Sequence, residues 1–184
     1  MAIQRTGHVA IRVRDLEAAK QFYGGILGMK LGMEVPGQGL FFRFNNYHHD
    51  LAVFKARDGA EAASKNHAGV AHIALVAEDF DTVRAMHRRL REHGVPVSRT
   101  IDHGATKSIY FSDPDGIELE IYCEVPDFDW RHNGMVRVPM DIESESAAEA
   151  LSPEQARAMS IRLPSDFSSR PALCFFDTIH IARG

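Results

Sequence analysis

Two stretches of the chain, 64 positions apart (72 − 8), follow the same pattern, and this repeat limits the possible folds more than any other feature. His8-Val-Ala-Ile-Arg in the first stretch corresponds to His72-Ile-Ala-Leu-Val in the second. An Asp followed by a large apolar residue comes next in both, at 15–16 and at 79–80. An amphipathic helix pattern and three strand-like runs then follow in each. Because an internal repeat marks a supersecondary unit used more than once, we predict two βαβββ modules in tandem.

The two modules are expected to form one α+β domain. Helices are predicted at 16–27 and 80–92, each preceded by an Asp N-cap and followed by Gly28 or Gly94. Predicted strands lie at 8–14, 29–35, 39–45, 49–56, 72–76, 95–101, 107–112 and 117–123. Neither module can form a good core alone, so we expect their curved mixed sheets to pair about a pseudo-twofold axis. The domain is predicted at 1–125, with modules at 5–57 and 68–124 and a polar, Ala-rich linker between them.

Residues 126–184 form a C-terminal extension that does not repeat either module. We predict an irregular segment at 126–140, an acidic segment at 141–150, a short helix from Ser152 to about Ser160 and an added strand at 172–182. This extension is expected to be a cover or a dimer element, and a partly disordered tail is the alternative.

Charge and composition exclude several kinds of partner. A formal net charge of −4 and a pI near 6.2 provide no electrostatic attraction to nucleic acid or to an anionic membrane. No apolar run approaches the roughly 20 residues that span a bilayer, and the N-terminus lacks the apolar core of a signal peptide. Cys123 and Cys174 stand far apart and do not make a disulfide framework. A cytoplasmic location is therefore expected.

A β-hairpin is predicted at 108–124, and it carries the first candidate metal ligand. Its two strand-like runs are joined by Asp-Pro-Asp-Gly at 113–116, where Pro presets the turn and Gly takes the left-handed position. In the second run polar residues alternate with the apolar residues at 117, 119 and 121. A carboxylate in the middle of a strand is either exposed to solvent or placed there for a functional reason. We interpret Glu120 as a metal ligand, with Glu118 on the same face as its main rival.

His8 and His72 occupy the same position in the two modules. One such histidine in an apolar strand is usually a core residue bonded to backbone, but two at matching positions can face each other across a twofold axis and hold one cation. With Glu120 they supply two imidazoles and one carboxylate, a set that suits non-haem Fe(II) and also Mn(II), Zn(II) or Ni(II). The histidines at 67, 87, 93 and 132 and the arginines at 88, 89 and 91 are expected to be solvated.

The three candidate ligands, with the Tyr-Phe-Ser-Asp-Pro-Asp-Gly-Ile-Glu-Leu-Glu run at 110–120, make residues 5–124 resemble the vicinal oxygen chelate superfamily. This group includes glyoxalase I, type I extradiol dioxygenases, methylmalonyl-CoA epimerase and fosfomycin-resistance enzymes. The resemblance implies a divalent metal held by His8, His72 and Glu120.

A comparison of the two modules favours the dioxygenase branch. When Leu51 is aligned with Leu119, Ala52 takes the position of Glu120, whereas glyoxalase I resembles a completed set with a carboxylate from each half. Three protein ligands leave room for a catechol bound through both oxygens, together with O₂. Asp50 lies on the same strand face, and a small change of register would make it a fourth ligand.

Three further residues resemble catalytic residues of extradiol dioxygenases. The Tyr-His-His-Asp-Leu-Ala run at 47–52 resembles their His-His-x-Leu-Ala segment, which implies an acid–base role for His49. Tyr110 matches a tyrosine that hydrogen-bonds a substrate hydroxyl, and the Asp-His-Gly loop at 102–104 implies an assisting role for His103. For each of the three, an ordinary surface or core position is the alternative.

The resemblance therefore implies an enzyme, an extradiol dioxygenase that cleaves a catechol-type aromatic diol with O₂. Fe(II) is the expected metal, and a homodimer is the expected assembly. A glyoxalase-like lyase or isomerase, an epimerase or a thiol transferase on the same metal site is the first alternative. A metal-free, small-molecule-binding protein of the resistance type is the second.

Overall fold

Two βαβββ modules make up most of the residues that the computed structural model describes, 2–134 and 136–144. The first module consists of β1 (Val9–Val13), α1 (Leu16–Ala19) continuing as a π-helix (Lys20–Ile26), β2 (Lys30–Val35), β3 (Gly39–Arg43) and β4 (Leu51–Lys55). The second consists of β5 (Ile73–Val76), α2 (Phe80–Glu92), β6 (Val97–Asp102), β7 (Thr106–Ser112) and β8 (Glu118–Glu124). The predicted repeat of element order is confirmed.

Both long helical segments begin at the predicted N-caps. In the first turn, the Asp15 carboxylate accepts hydrogen bonds from two backbone N–H groups and the Asp79 carboxylate accepts one. The prediction of one continuous α-helix at 16–27 is wrong in its second half, where the Leu27 N–H donates to the Phe22 carbonyl, five residues back, at 2.9 Å. The two glycines at 24–25 tolerate this wider, π-helical turn because they lack side chains.

Each module forms one mixed sheet. The strand order is β1-β4-β3-β2 in the first sheet and β5-β8-β7-β6 in the second, where β9 (Val138–Pro139) is added beside β6. The first strand of each module pairs in parallel with its last strand, and the other pairs are antiparallel. The predicted α+β fold with two curved mixed sheets is therefore confirmed.

The two sheets share their register and their irregularities. Val9 pairs with Leu51 in the first sheet, and Ile73 pairs with Leu119 in the second. A β-bulge interrupts β2 between positions 31 and 33, and another interrupts β6 between positions 97 and 99. Each position in one sheet can therefore be equated with a position in the other through its ladder partners.

One hydrophobic core joins the two modules, and polar contacts fix their relation at its edge. The Tyr23 hydroxyl donates to the Asp113 carboxylate at 2.8 Å, between the first helix and the β7–β8 turn. Burial raises the pKa of both groups, because desolvation disfavours their charged forms. The Arg14 guanidinium meets Asp115 of the same turn at 2.5 Å. These contacts of the β7–β8 turn therefore fix the second module against the first.

Helix α2 buries one histidine that the sequence predicts to be solvated. His87 is only 8% exposed, because it lies on the same helical stripe as the buried Val83 and Leu90. Arg89 donates to the Gly25 carbonyl at 2.8 Å, across the module boundary. The expectation of a solvated side chain is wrong for His87, whereas the arginines at 88, 89 and 91 are exposed as expected.

The chain after β8 folds back along the second sheet. The prediction of an irregular segment at 126–140 is wrong there, since it contains α3 (Trp130–Asn133) and the β9 strand that pairs with β6. The helix predicted at 152–160 and the strand predicted at 172–182 lie outside the described residues. Within the described ranges, no helix has both the length and the hydropathy of a membrane span.

Candidate metal centre

His8 and His72 each precede the edge strand of their sheet. Because their neighbours Val9 and Ile73 make equivalent parallel pairs, the two histidines hold equivalent positions. Val9 and Ile73 also line the same small apolar cavity between the modules. The two histidines therefore directly precede two strands that flank one cavity.

Glu120 and Ala52 are equivalent as well. Ala74 pairs with Glu120 in the second sheet, and Ala10 pairs with Ala52 in the first. The register agrees with the alignment made from the sequence. Glu120 is 7% exposed and Ala52 is 1% exposed, so the first sheet has a buried methyl group where the second has a buried carboxylate.

The two carboxylate oxygens of Glu120 have separate partners. Oε2 lies 3.0 Å from Nε2 of His72, and Oε1 accepts a hydrogen bond of 2.7 Å from the Tyr110 hydroxyl. These partners offset the cost of burying the carboxylate. Burial, and next the hydrogen bond to Glu120, raise the pKa of Tyr110, so the phenol keeps its proton and acts as a donor.

His103 extends this arrangement by one residue. Its Nε2 atom lies 2.9 Å from the Tyr110 hydroxyl oxygen, and its Nδ1 atom lies 3.0 Å from the Val136 carbonyl oxygen. Four of the residues proposed from the sequence thus form one chain of close polar contacts, in which His103, Tyr110 and Glu120 are hydrogen-bonded and His72 lies beside Glu120. In order along it they are His103, Tyr110, Glu120 and His72.

Glu118, the rival ligand, is engaged by cations. Arg99 donates two hydrogen bonds of 2.9 Å to its carboxylate, and Lys65 donates one of 2.8 Å. These bonds, that of Arg99 foremost, lower the pKa of Glu118 to about 2. The Arg99 guanidinium carbon also lies 3.9 Å from the centre of the Tyr110 ring. Glu118 therefore holds the surroundings of Tyr110 in place and has little freedom to bind a metal.

Arg99 and Lys65 were not predicted from the sequence. The β-bulge in β6 shifts the alternation so that Arg99 pairs with Tyr110, and a regular two-residue period would not have indicated this. Lys65 belongs to the linker, which has no periodic pattern. The one available signal was that Arg99 is the only charged residue in the predicted strand at 95–101.

The remaining candidates cluster in the first module. The His49 ring lies 4.4 Å from the His8 ring between centroids, and its Nδ1 atom lies 2.6 Å from Nδ1 of His48. Desolvation, followed by the charges of His8 and His48, lowers the pKa of His49, so its imidazole is neutral at pH 7. The Asp50 carboxylate accepts a hydrogen bond of 2.9 Å from the Phe44 N–H.

The donor set fits a divalent cation in its chemistry and partly in its geometry. His72 Nε2 and Glu120 Oε2, at 3.0 Å, are spaced as two adjacent ligands at right angles, each about 2.1 Å from an ion. Within the described ranges, no three His, Cys, Asp or Glu side chains are grouped ready to hold a metal. Since the His8 ring packs on His49, binding by all three predicted ligands requires at least one side chain to move.

Comparison with known proteins identifies relatives of two kinds. The family model of the Glyoxalase/Bleomycin resistance protein/Dioxygenase superfamily matches residues 5–121. Biphenyl-2,3-diol 1,2-dioxygenase 2 of Rhodococcus globerulus is 30% identical over 123 residues, which are 65% of this chain and 64% of that protein. A probable lactoylglutathione lyase of Synechocystis sp. is 32% identical over 123 residues, 62% of this chain and 91% of that protein.

The fold has counterparts among solved structures. A glyoxylase/bleomycin resistance protein/dioxygenase domain from Frankia sp. EAN1pec superposes with a TM-score of 0.60 at 19% identity, covering 67% of this chain and 99% of that one. At this identity the likeness concerns the fold alone. The chain spans less than two thirds of the length of the dioxygenases that it matches.

Proposed function

This chain belongs to the Glyoxalase/Bleomycin resistance protein/Dioxygenase superfamily, and we propose that it is a metal-dependent extradiol dioxygenase. In this proposal the substrates are a catechol-type aromatic diol and O₂, and the ion is Fe(II). The observation that carries it is the asymmetry between Glu120 and Ala52 at equivalent positions, since the absent second carboxylate leaves room for substrate oxygens. The similarity to a biphenyl-2,3-diol dioxygenase supports it.

His8, His72 and Glu120 are the residues that would hold the ion. When bound, Fe(II) supplies a Lewis acid with accessible redox chemistry for the diol and O₂. Tyr110 orients the Glu120 carboxylate through Oε1 and leaves Oε2 directed toward His72. A hydrogen bond to one oxygen of a ligating carboxylate keeps the other oxygen oriented toward the metal.

Two residues of the site are suited to handle protons and hydrogen bonds. His49 is neutral at pH 7 because its pKa is lowered, so it can accept a proton from a substrate hydroxyl. Tyr110 keeps its proton because its pKa is raised, so it can donate its one hydrogen bond to Glu120, as here, or instead to an anionic substrate oxygen when one is bound. His103 assists by bonding to the Tyr110 hydroxyl.

The direct test is anaerobic reconstitution with Fe(II), followed by a panel of catechols with and without aryl substituents. We expect coloured ring-fission products and stoichiometric O₂ uptake, both lost in His72→Ala. Bound iron without colour or O₂ uptake on any diol would reject the dioxygenase proposal. Light scattering during gel filtration tests the homodimer that we propose as the assembly.

A glyoxalase-like lyase is the second candidate, because the match to a probable lactoylglutathione lyase covers 91% of that protein. Its test is turnover of the hemithioacetal of methylglyoxal and a thiol with Ni(II) or Zn(II) in place of iron. Asp50→Asn should abolish that turnover if Asp50 completes a four-ligand site. A resistance-type binding protein would instead retain its small-molecule affinity in His72→Ala.

A further inference from the structure

A C-terminal strap, residues 136–144, runs along the outer edge of the second sheet. It lies beyond residue 121, where the family match ends. Its β9 strand pairs with β6, and the Met140 N–H donates to the Thr100 carbonyl at 3.0 Å. Three of its apolar side chains are at most 5% exposed, those of Val136, Met140 and Ile142. The strap is therefore packed as core.

The strap contacts the candidate site at His103. The Val136 N–H donates to the His103 carbonyl at 3.2 Å, and the Val136 carbonyl oxygen lies 3.0 Å from Nδ1 of the His103 ring. A carbonyl oxygen can only accept, so this contact requires a proton on Nδ1. The other ring nitrogen, Nε2, faces the Tyr110 hydroxyl at 2.9 Å.

The direction of these hydrogen bonds depends on how many protons His103 and Tyr110 carry. With one ring proton on Nδ1, the Nε2 atom of His103 is an acceptor. The Tyr110 oxygen lies 2.9 Å from this acceptor and 2.7 Å from Glu120 Oε1, but it has one proton to donate. Either the phenol proton is shared between the two acceptors, or Nε2 carries a second proton and donates to the phenol. In both cases the Val136 carbonyl holds the Nδ1 proton.

The loop that carries His103 is held from a second side by the chain that leads into the strap. Gly104 has a φ of +79°, and a Cβ atom there would lie 2.5 Å from the Phe128 ring. The Val125 N–H donates to the Ala105 carbonyl at 2.8 Å. Loop 103–105 is thus confined by the chain on both sides, which fixes the position of the His103 ring.

We infer that the strap is a working part of the site. The Val136 carbonyl fixes the His103 ring with its proton on Nδ1, and His103 in turn positions the Tyr110 hydroxyl against Glu120. His103 is therefore a positioning residue that depends on a segment outside the family match. Its catalytic consequence rests on the proposed function, whereas the tautomer is a property of the metal-free protein and can be measured without any activity.

The first experiment is long-range ¹H–¹⁵N NMR of the full-length, metal-free protein with ¹⁵N in the histidine rings. The His103 signals, assigned by their loss in His103→Asn, are expected to show a protonated Nδ1, in either the neutral or the doubly protonated ring. A neutral ring with its proton on Nε2 overturns the inference. This result does not depend on whether the protein is a dioxygenase.

The second experiment weakens the packing of the strap at a position away from His103. Ile142→Ala removes a 5% exposed strap side chain, and Leu27→Ala removes a 6% exposed core side chain of the first module as a matched control. We expect the Ile142 variant to mix the two His103 tautomers and to shift the Tyr110 ¹³Cζ signal, while the control leaves both unchanged. Equal changes in the two variants, or none in either, overturn the inference. Ile142→Val and Leu27→Val repeat the comparison if the alanine variants unfold.

The third experiment separates strap packing from positioning. His103→Asn keeps an N–H near the Nδ1 position and removes the Nε2 atom. We expect the Val136 and Met140 amides to stay protected from hydrogen exchange while the Tyr110 ¹³Cζ signal shifts. In the Fe(II)-loaded enzyme, kcat should fall about tenfold or more, with a smaller change in KM. An unchanged Tyr110 signal shows a merely structural role for His103 and overturns the inference.

Discussion

Two equivalent rows of side chains, one across each sheet, differ in chemistry although their backbone ladders match. Across the second sheet the row is Ala74, Glu120, Tyr110 and Arg99, and across the first it is Ala10, Ala52, Phe41 and Met33. The second row is a chain of hydrogen bonds and charges. The first row is apolar throughout, and its Met33 is 53% exposed.

The difference teaches that the fold does not require the polar row. A buried carboxylate with no partner costs about 3–5 kcal/mol, so Glu120 depends on Tyr110 and His72, and Tyr110 in turn supports Arg99. The first row carries no such dependence, because Ala52 has no polar group to satisfy. Exchanging residues between the two rows therefore distinguishes residues required for stable strand pairing from residues required by the candidate site.

Glu120→Ala gives the second row the residue of the first and should have the largest effect. We expect metal affinity to fall more than about 100-fold, because loss of a partner that merely supports a ligand already costs about 10–100-fold. Equilibrium dialysis with Fe(II) or Mn(II) measures this. Glu118→Gln, on the same face of β8, is the control and should retain the metal. Equal losses in both variants would remove Glu120 from the ligand set.

Ala52→Glu makes the reverse exchange and should destabilise the protein by about 3 kcal/mol. The new carboxylate would be buried beside Phe41, which has no hydroxyl to donate. Adding Phe41→Tyr should restore about 1 kcal/mol, as Tyr110 does for Glu120. Urea unfolding of the two single variants and the double variant measures the coupling. If the changes in unfolding free energy of the two single variants simply add in the double variant, equivalent positions in the first sheet do not reproduce the interaction between Glu120 and Tyr110.

Tyr110→Phe gives the second row the aromatic residue of the first. It removes the donor to Glu120 Oε1, so we expect a loss of about 1–2 kcal/mol in the free energy of unfolding. In the Fe(II)-loaded enzyme kcat should fall by about tenfold to 100-fold. Phe41→Tyr is the matched control and should change neither quantity much. Full activity in Tyr110→Phe would exclude a role for the hydroxyl in turnover.

The smallest effect is expected at Glu118, whose equivalent in the first sheet is Asp50 by ladder position. Because the pKa of Glu118 is lowered from 4.5 to about 2, its stabilisation is complete above about pH 4.5 and is lost as the pH falls toward 2. Glu118→Gln should therefore cost about 1–2 kcal/mol at pH 7 and only about 0.4 kcal/mol near pH 2, where the folded-state carboxyl is about half protonated.

Urea unfolding of the metal-free protein between pH 7 and 2 tests this dependence on Glu118. Asp50→Asn is the control, since Asp50 accepts a backbone hydrogen bond and forms no ion pair within the described ranges. A difference between wild type and Glu118→Gln that is as large at pH 2 as at pH 7 would contradict the role of the Arg99 and Lys65 contacts.

Much of the candidate site was accessible from the sequence. The two-residue period of β8 separates Glu120 from Leu119, and the repeat equates His8 with His72 and Ala52 with Glu120. The resemblance added Tyr110 and His103, which lie in one hydrogen-bonded chain with Glu120. The metal-binding and catalytic roles of all these residues stay predictions, and His8, His49 and Asp50 also lie outside that chain.

The sequence by itself determined the two modules, the face of each strand and the residues at equivalent positions, because repeats and alternation are local properties of a chain. Only the tertiary structure decided that a bulge brings Arg99 to Tyr110, that Lys65 occupies Glu118 and that Val136 bonds to His103. These contacts join residues that follow no common period. Their approach depends on where loops and sheet edges meet once the shared core has formed, and no local pattern encodes that.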